Sequence, residues 1–140
     1  MHDVYIRNME IADYDLVIDL WKSTEGIGLS EADSKENIRF FLERNHGFSL
    51  VALKGNKLVG AVLAGHDGRR GYLHHLAVRR EHRKEGLGRR LADGCLEKLK
   101  LAGIDKCHIF VFRENSVGKE FWSKIGWLIR GDLHIMSKHI

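Results

Sequence analysis

The chain has 140 residues, 44% hydrophobic and 30% charged, which is typical of one globular domain with a single core. No apolar run approaches the ~18 residues of a membrane span, and the N-terminus lacks the apolar region of a signal peptide, so we expect no membrane partner and a cytoplasmic location. Cys95 and Cys107 are too few for a disulfide framework, so we expect reduced thiols.

The first half of the chain predicts a strand, two helices and a hairpin. Residues 4–8 (VYIRN) alternate like a strand, and residues 11–23 place apolar side chains near helical spacing, with Asp13 among the candidate N-terminal caps. A loop with two glycines separates these from a second helix at 35–45. The segment 48–66 (FSLVALK-GNK-LVGAVLAGH) predicts a hairpin.

The second half continues with alternating strands and helices. In order, it predicts a turn at 67–71, a strand at 71–78 (GYLHHLAV), a helix at 87–103, a strand at 106–112, a helix at 115–126 and a closing hairpin at 127–138 (WLIR-GD-LHIMSK). The element order β-α-α-β-β-β-α-β-α-β-β predicts a mixed α/β domain over residues 1–140. Within it, the strand–loop–helix–strand unit at 71–112 predicts a parallel strand pair.

The charge of the chain is concentrated in one loop. The net charge is +4, and the stretch 79–90 (RREHRKEGLGRR), with six basic and two acidic residues, accounts for all of it. This stretch joins a strand to a helix, and the unpaired amides and dipole of a helix N-terminus favour an anion. Gly86 and Gly88 let the backbone approach a phosphate, although any G-x-G can be a plain turn.

The spacing separates this loop from two common phosphate motifs. It lacks the G-x-x-x-x-G-K-[ST] spacing of a Walker A loop. It also lacks the third glycine and the later acidic residue of a Rossmann fingerprint. A diphosphate held without Mg²⁺, with Arg and Lys as the countercharge, fits the residues better.

The motifs resemble those of the GNAT superfamily of N-acetyltransferases, of the small single-domain bacterial type. Arg83 to Gly88 match its [Q/R]-x-x-G-x-[G/A] loop, after a strand that ends in HLAV and before N-x-x-G-x-x-F-W-x-K-x-G-W at 115–127. The resemblance implies acetyl-CoA as co-substrate and a GNAT-like mixed central sheet. No metal is implied.

The resemblance also implies a set of cofactor-binding residues. The amides from Lys84 to Arg89 would cradle the pyrophosphate, and the backbone of Leu76, Ala77 and Val78 would pair with the pantetheine arm. Asn115 would contact the cofactor from the next helix, although its place also suits an N-cap. The full set is Leu76, Ala77, Val78, Arg83, Lys84, Glu85, Gly86, Leu87, Gly88, Arg89, Asn115 and Trp122; for Arg90 a solvated position is the better interpretation.

The resemblance assigns the oxyanion donor to a backbone amide, that of Val78. For the base, strand alternation predicts Tyr72 and His74 on one face and His75 on the other. The serotonin N-acetyltransferases of this family carry two His before LAV, and these fall on His74 and Tyr72. Histidine suits proton abstraction, so His74 is our candidate base, with a core-filling role as the alternative. We interpret His75 as structural, hydrogen-bonded to a backbone carbonyl.

The general acid is where the sequence departs from the family. The usual tyrosine is Trp122, whose indole N–H is not a proton source. The glutamate that some relatives use on the next strand falls on Phe110. Tyr72, His108 and solvent remain open. A metal site is not predicted, since no His or Cys cluster has ligand spacing.

The acceptor that the resemblance implies is an amine, of a small molecule or a peptide. Glu25, Glu31, Asp33 and Asp67 would make an acidic rim that favours a cationic amine, although Asp33 and Asp67 also suit caps and turns. The alternative function is an acyl-CoA-binding module with little turnover. Nucleic-acid binding is not predicted, because aromatic residues do not interleave the basic stretch. Small domains of this family often form dimers, which adds a homodimer to the implied partners.

Overall fold

The computed structural model describes residues 3–140, which fall into two compact units, one ending at Phe110 and one running from Val111 to Ile140. The prediction of one domain over residues 1–140 begins at Met1 and His2, which lie outside the described residues, and it stays a prediction. The regular elements are β1 (Val4–Asn8), α1 (Tyr14–Lys22), α2 (Lys35–Arg44), β2 (Leu50–Lys54), β3 (Lys57–His66), β4 (Gly71–Val78), α3 (Leu87–Leu101), β5 (Cys107–Ile109) and α4 (Ser116–Lys124).

The five strands form one mixed sheet in the order of the chain, β1-β2-β3-β4-β5. The pairs from β1 to β4 are antiparallel, and the hairpin of β2 and β3 turns on two residues, with Gly55 at φ +62°. β4 and β5 are parallel because α3 carries the chain back along the sheet. The α/β class, the hairpin and the parallel pair are therefore confirmed.

Helices cover both faces of this sheet. On one face, Val17, Leu20 and Trp21 of α1 and Ile38 of α2 pack with alternate sheet residues in a buried cluster. On the other face lies α3, whose buried residues Leu87, Leu91, Ala92, Cys95 and Leu99 recur at helical spacing. Gly60 and Gly71 have no side chain on that face. Leu91 therefore packs closely against Gly60, and Leu99 packs closely against Gly71.

A buried carboxylate fixes the connection between β1 and α1. The guanidinium of Arg7 donates two hydrogen bonds to Asp13, from Nη1 to Oδ2 at 2.9 Å and from Nη2 to Oδ1 at 2.8 Å. The amide of Glu10 donates to Oδ2 of Asp13 at 2.8 Å. Asp13 thus caps a 3-10 turn, Ile11–Asp13, and α1 begins at Tyr14 rather than at residue 11.

The C-terminal end differs from the prediction. The expected strand at 106–112 is limited to Cys107–Ile109. Residues 127–140 form a turn at Gly131 and Asp132 but no paired strands, so the closing hairpin at 127–138 is wrong. An isolated two-stranded hairpin buries too little apolar surface to hold its strands together. Across residues 3–140, no helix is long and apolar enough to span a membrane.

Candidate active site

A bulge in β4 shapes the middle of the sheet. Ala61 pairs with Ala77 and Leu63 pairs with His74. The single residue between them in β3, Val62, therefore faces two residues of β4, His75 and Leu76. His75 takes up the extra length with a left-handed φ of +56°. A bulge of this kind kinks the strand and redirects its side chains.

The bulge places both histidines on the same side of the sheet. The His74 ring lies 6.1 Å from that of Phe41 in α2, and the His75 ring lies 4.9 Å from that of Trp21 in α1. The two imidazoles are 6.4 Å apart. The prediction that they lie on opposite faces is wrong, because alternation holds only in a regular strand.

His74 sits among aromatic rings. Its imidazole is nearly parallel to the Tyr72 ring, at 6.2 Å and 6°, and to the Phe110 ring, at 6.0 Å and 20°. Burial, and secondarily the charge of His75, lower the pKa of His74, and Asp33 opposes this. Within residues 3–140 neither imidazole nitrogen of His74 has a hydrogen-bond partner, so a neutral ring there has a free lone pair for a proton.

His75 contacts a carboxylate rather than a backbone carbonyl. Its Nε2 lies 3.0 Å from Oδ1 of Asp33, at the end of the 3-10 turn Glu31–Asp33. Oδ2 of Asp33 accepts a hydrogen bond from the amide of Ser30 at 3.1 Å, in a capping box. The predicted role of Asp33 as a cap is therefore confirmed, whereas its pairing with His75 was not predicted.

The acids expected at the rim are engaged by neighbouring residues. Glu25 lies 3.4 Å from Arg80 and 4.0 Å from Arg83. Oδ1 of Asp67 accepts the amides of Arg69 and Arg70 at 2.8 Å, which confirms its role in the turn. With Asp33 held by His75, three of the four acids are already paired inside the chain.

β4 continues beyond its pairing with β5. The parallel pairs end at Leu73 and Ile109, whereas β4 runs to Val78. The amide of Arg79 donates to the carbonyl of Val59 in β3 at 2.8 Å. Since successive amides of a strand point to opposite sides, the N–H of Val78 points away from β3, toward the side of the sheet that β5 has left.

The loop before α3 has the backbone form of an anion nest. Lys84 has φ +67° and Gly86 has φ +80°, and no side chain caps the helix N-terminus at Gly86. Successive amides in such a turn converge on one point, and those of the first helical turn are unpaired within the helix. Gly88 lies inside the first turn of α3, so Lys84 rather than Gly88 is the second left-handed residue.

Several basic side chains of the loop are engaged in the protein. Nε of Arg83 donates to the carbonyl of Val78 at 2.9 Å, and Nε of Arg79 donates to the carbonyl of Leu58 at 2.8 Å. Arg89 faces Asp93 at 3.5 Å, one turn along α3. The side chain of Glu85 lies 3.5 Å from Nδ1 of His82. Arg90 is exposed, as expected.

The two predicted residues of the C-terminal unit have structural roles there. Oδ1 of Asn115 accepts the amide of Gly118 at 2.9 Å, so Asn115 caps α4. The Trp122 ring packs edge-on against Phe121 at 5.1 Å and Trp127 at 5.0 Å. Their contacts with a cofactor stay predictions.

Neither thiol is suited to nucleophilic catalysis. Burial raises the pKa of Cys95 to about 12 and that of Cys107 to about 11. Among the open choices for an acid, Tyr72 and His108 lie next to each other, with ring centroids 5.8 Å apart. Over residues 3–140, no group of three or more His, Cys, Asp or Glu side chains is arranged to hold a metal ion.

Known proteins share both the sequence pattern and the fold. The family model described as "Acetyltransferase (GNAT) family" matches residues 14–127. N-alpha-acetyltransferase 30 of Schizosaccharomyces pombe is 30% identical over 104 residues, which cover 71% of this chain and 69% of that protein.

Two solved structures have the same fold. Ard1 of Thermoplasma volcanium aligns with a TM-score of 0.80 and 17% identity, covering 91% of this chain and 84% of that one. PaiA N-acetyltransferase of Thermoplasma acidophilum, in complex with coenzyme A, aligns with a TM-score of 0.78 and 24% identity, covering 91% of each chain. Because the family model matches residues 14–127, most of its length, the chain belongs to the GNAT family of acetyltransferases.

Proposed function

We propose that the chain transfers the acetyl group of acetyl-CoA to the α-amine of a peptide, with His74 as the general base. The observation that carries the proposal is the partly buried His74 imidazole, which lies on β4 just after Leu73, where the pairing with β5 ends. As a GNAT acetyltransferase the chain is an acyltransferase that uses acetyl-CoA, and a binding module without turnover is not favoured.

The cofactor would lie along β4 and the loop before α3. The unpaired amides beyond Leu73 offer hydrogen bonds to the amide groups of the pantetheine arm, as an added strand would. The nest from Lys84 to Arg89 would hold the pyrophosphate through backbone N–H groups and the dipole of α3. The cations of the loop add countercharge.

The reaction needs several proton and charge movements. The ammonium of the acceptor gives a proton to His74, directly or through water, and the free amine attacks the thioester carbonyl. The oxygen of the tetrahedral intermediate gains negative charge, which the N–H of Val78 stabilises. The attacking nitrogen gives its second proton to solvent, the C–S bond breaks as the carbonyl forms again, and the thiolate of CoA takes a proton from Tyr72, His108 or solvent.

The state of His74 favours an α-amine over a lysine side chain. An α-amine has a pKa of about 8, about 2.5 units below that of lysine, so its deprotonation costs about 3 kcal/mol less. A histidine whose pKa is lowered is a weak base and suits the more acidic amine. Of the acids expected at the rim, Asp33 is held by His75 and Glu25 lies next to Arg80, so neither is free to bind a cationic acceptor without giving up that contact. The name of the yeast relative agrees with an α-amine acceptor.

Two matched peptides test the acceptor. One carries a free α-amine and no lysine, and the other has a blocked N-terminus and one free lysine. We expect acetyl transfer to the first, measured as release of free CoA thiol and as a mass increase located by fragmentation. Transfer to the second peptide alone would overturn the α-amine assignment.

The base and the cofactor loop are tested separately. His74→Gln should lower kcat by about 100-fold or more and leave acetyl-CoA binding intact, since a general base contributes roughly 10²–10⁴. A Gly86→Val, Gly88→Val variant should lose binding in a calorimetric titration. Wild-type turnover in His74→Gln would contradict the base assignment. The cytoplasmic location and the homodimer stay predictions from the sequence.

A further inference from the structure

We propose that His75 and Asp33 form a positioning pair that fixes the bulge of β4 and thereby sets the place and charge environment of His74. The proposal rests on His74 as the base. Neither residue of the pair touches the reacting atoms in this scheme, so each acts through its neighbour.

The backbone at His75 is held in an unfavourable form. A residue with a β-carbon is uncommon in the left-handed region, although asparagine, aspartate and histidine enter it more often than other side chains do. His75 has φ +56° in the middle of β4, an eight-residue strand paired with β3. Its side chain makes two contacts that hold this conformation, with the Asp33 carboxylate at 3.0 Å and with the Trp21 ring at 4.9 Å.

Asp33 is fixed independently of His75. Its Oδ2 accepts the amide of Ser30, and its backbone carbonyl accepts the hydroxyl of Tyr14 at 2.7 Å. The carboxylate is almost fully buried, with 8% of the side chain exposed, so an unpaired Oδ1 would be costly. The segment between α1 and α2 is thus tied to β4 at one point, immediately next to His74.

The pair also bears on the charge of His74. Groups that titrate and face His74 are Tyr72 and His75 on β4 and Asp33 on the 3-10 turn, with His108 of β5 beyond Tyr72. Phe41 of α2 and Phe110 after β5 complete its surroundings and do not titrate. After burial, the charge of His75 is the next cause that lowers the pKa of His74, and Asp33 acts in the opposite direction.

The test is the pH profile of His75→Asn. Asparagine tolerates a left-handed φ, so the bulge has a conformer it can keep while the imidazole is lost. We expect kcat to fall about 10-fold to 100-fold, as a small misplacement of a catalytic group does, with acetyl-CoA binding retained. The acid limb of kcat/KM should move to higher pH, because the pKa of His74 rises when the neighbouring charge is removed.

The controls separate the pair from the base. His46→Asn makes the same chemical change at an exposed site and should leave kcat and the acid limb unchanged. An active His74→Gln would overturn the base assignment, and the role of the pair with it. The other informative outcome is an inactive His74→Gln together with a His75→Asn that keeps the wild-type kcat and acid limb. That outcome would overturn the role of the pair and leave the base assignment standing.

A second variant covers the case in which His75→Asn does not fold. Asp33→Asn keeps the shape of the side chain and removes its charge. We expect a lower kcat with unchanged acetyl-CoA binding, and an acid limb of kcat/KM moved to lower pH, because the carboxylate that raises the pKa of His74 loses its charge. A wild-type kcat and an unmoved acid limb in Asp33→Asn would contradict the proposal.

Discussion

Nε of Arg83 donates a hydrogen bond to the backbone carbonyl of Val78, with 2.9 Å between the two atoms. This bond joins the first residue of the candidate phosphate loop to the last residue of the strand that carries His74. The loop before α3 and the end of β4 are therefore fixed to each other by the side chain of Arg83. The basic residue of the family motif thus makes a hydrogen bond within the protein.

We expect Arg83→Ala to raise the Kd of acetyl-CoA at least about 10-fold, since a hydrogen bond from a charged donor contributes about 1.5–3 kcal/mol. The loss arises because the loop no longer holds its place beside Val78. Calorimetric titration measures it, and Arg90→Ala, at an exposed position, is the matched control. Equal losses in the two variants would mean that only total charge matters.

Gly60→Ala should destabilise the fold by about 1–3 kcal/mol, because overpacking a tight core forces its neighbours to move. A β-carbon at this position would meet Cδ1 of the fully buried Leu91 at 2.9 Å and the carbonyl oxygen of Ala77 at 3.4 Å. The midpoint of urea unfolding measures the change. Gly131→Ala, where nothing lies within 4 Å, should leave the midpoint unchanged, and a Gly60→Ala midpoint equal to it would refute this account.

Asp13→Asn should cost about 1–2 kcal/mol of stability at neutral pH, because Arg7 and the Glu10 amide then lose a charged acceptor and Arg7 is partly screened by solvent. Burial alone would raise the pKa of Asp13, but the hydrogen bonds from Arg7 and Glu10 and the Arg7 charge outweigh it and lower the pKa.

The sign of the pH dependence follows from the lowered pKa. The contribution of Asp13 is complete above the pKa of an unfolded aspartate, about 3.9, and is lost as the pH falls through the lower folded value. Unfolding curves of the wild type and Asp13→Asn should therefore converge below about pH 4. A difference that persists unchanged to lower pH would contradict this origin.

The two thiols should resist alkylation in the folded protein. With the pKa values raised to about 12 for Cys95 and about 11 for Cys107, little thiolate is present at pH 8. We expect iodoacetamide to react more than about 100-fold slower than with the chain in urea, as followed by mass spectrometry. Rapid labelling of Cys107 in the native state would show that its surroundings are more open than its burial indicates.

The sequence predicts most of the fold because its strongest patterns are local. The helical spacing of Leu91, Cys95 and Leu99 matches the buried face of α3, and the turn at 55–57 predicts the hairpin. The closing hairpin at 127–138 shows the limit. Alternating apolar and polar residues show which side chains a strand would bury. They do not show that a neighbouring strand is present to pair with its backbone.

The site is predicted less completely than the fold. His74 is a candidate base from its motif and stays a prediction, whereas the side on which His75 lies depends on a bulge that no glycine marks. Asp33 reaches His75 across 42 positions of sequence, a separation that no local pattern encodes. The loop has two left-handed residues, Gly86 and Lys84, whereas the glycines of the motif suggest Gly86 and Gly88.

The order of the strands has a consequence for how the chain folds. β2, β3 and β4 are joined by turns of two and four residues, whereas the β4–β5 pair encloses α3 and the β1–β2 pair encloses two helices. Because short loops close before long ones, we expect the β2–β3–β4 meander to form early. The chain contains no proline, so prolyl isomerisation cannot delay this step. We therefore expect substitutions in β4, the strand that carries His74, to change the folding rate of the chain as well as any effect they have at the candidate site.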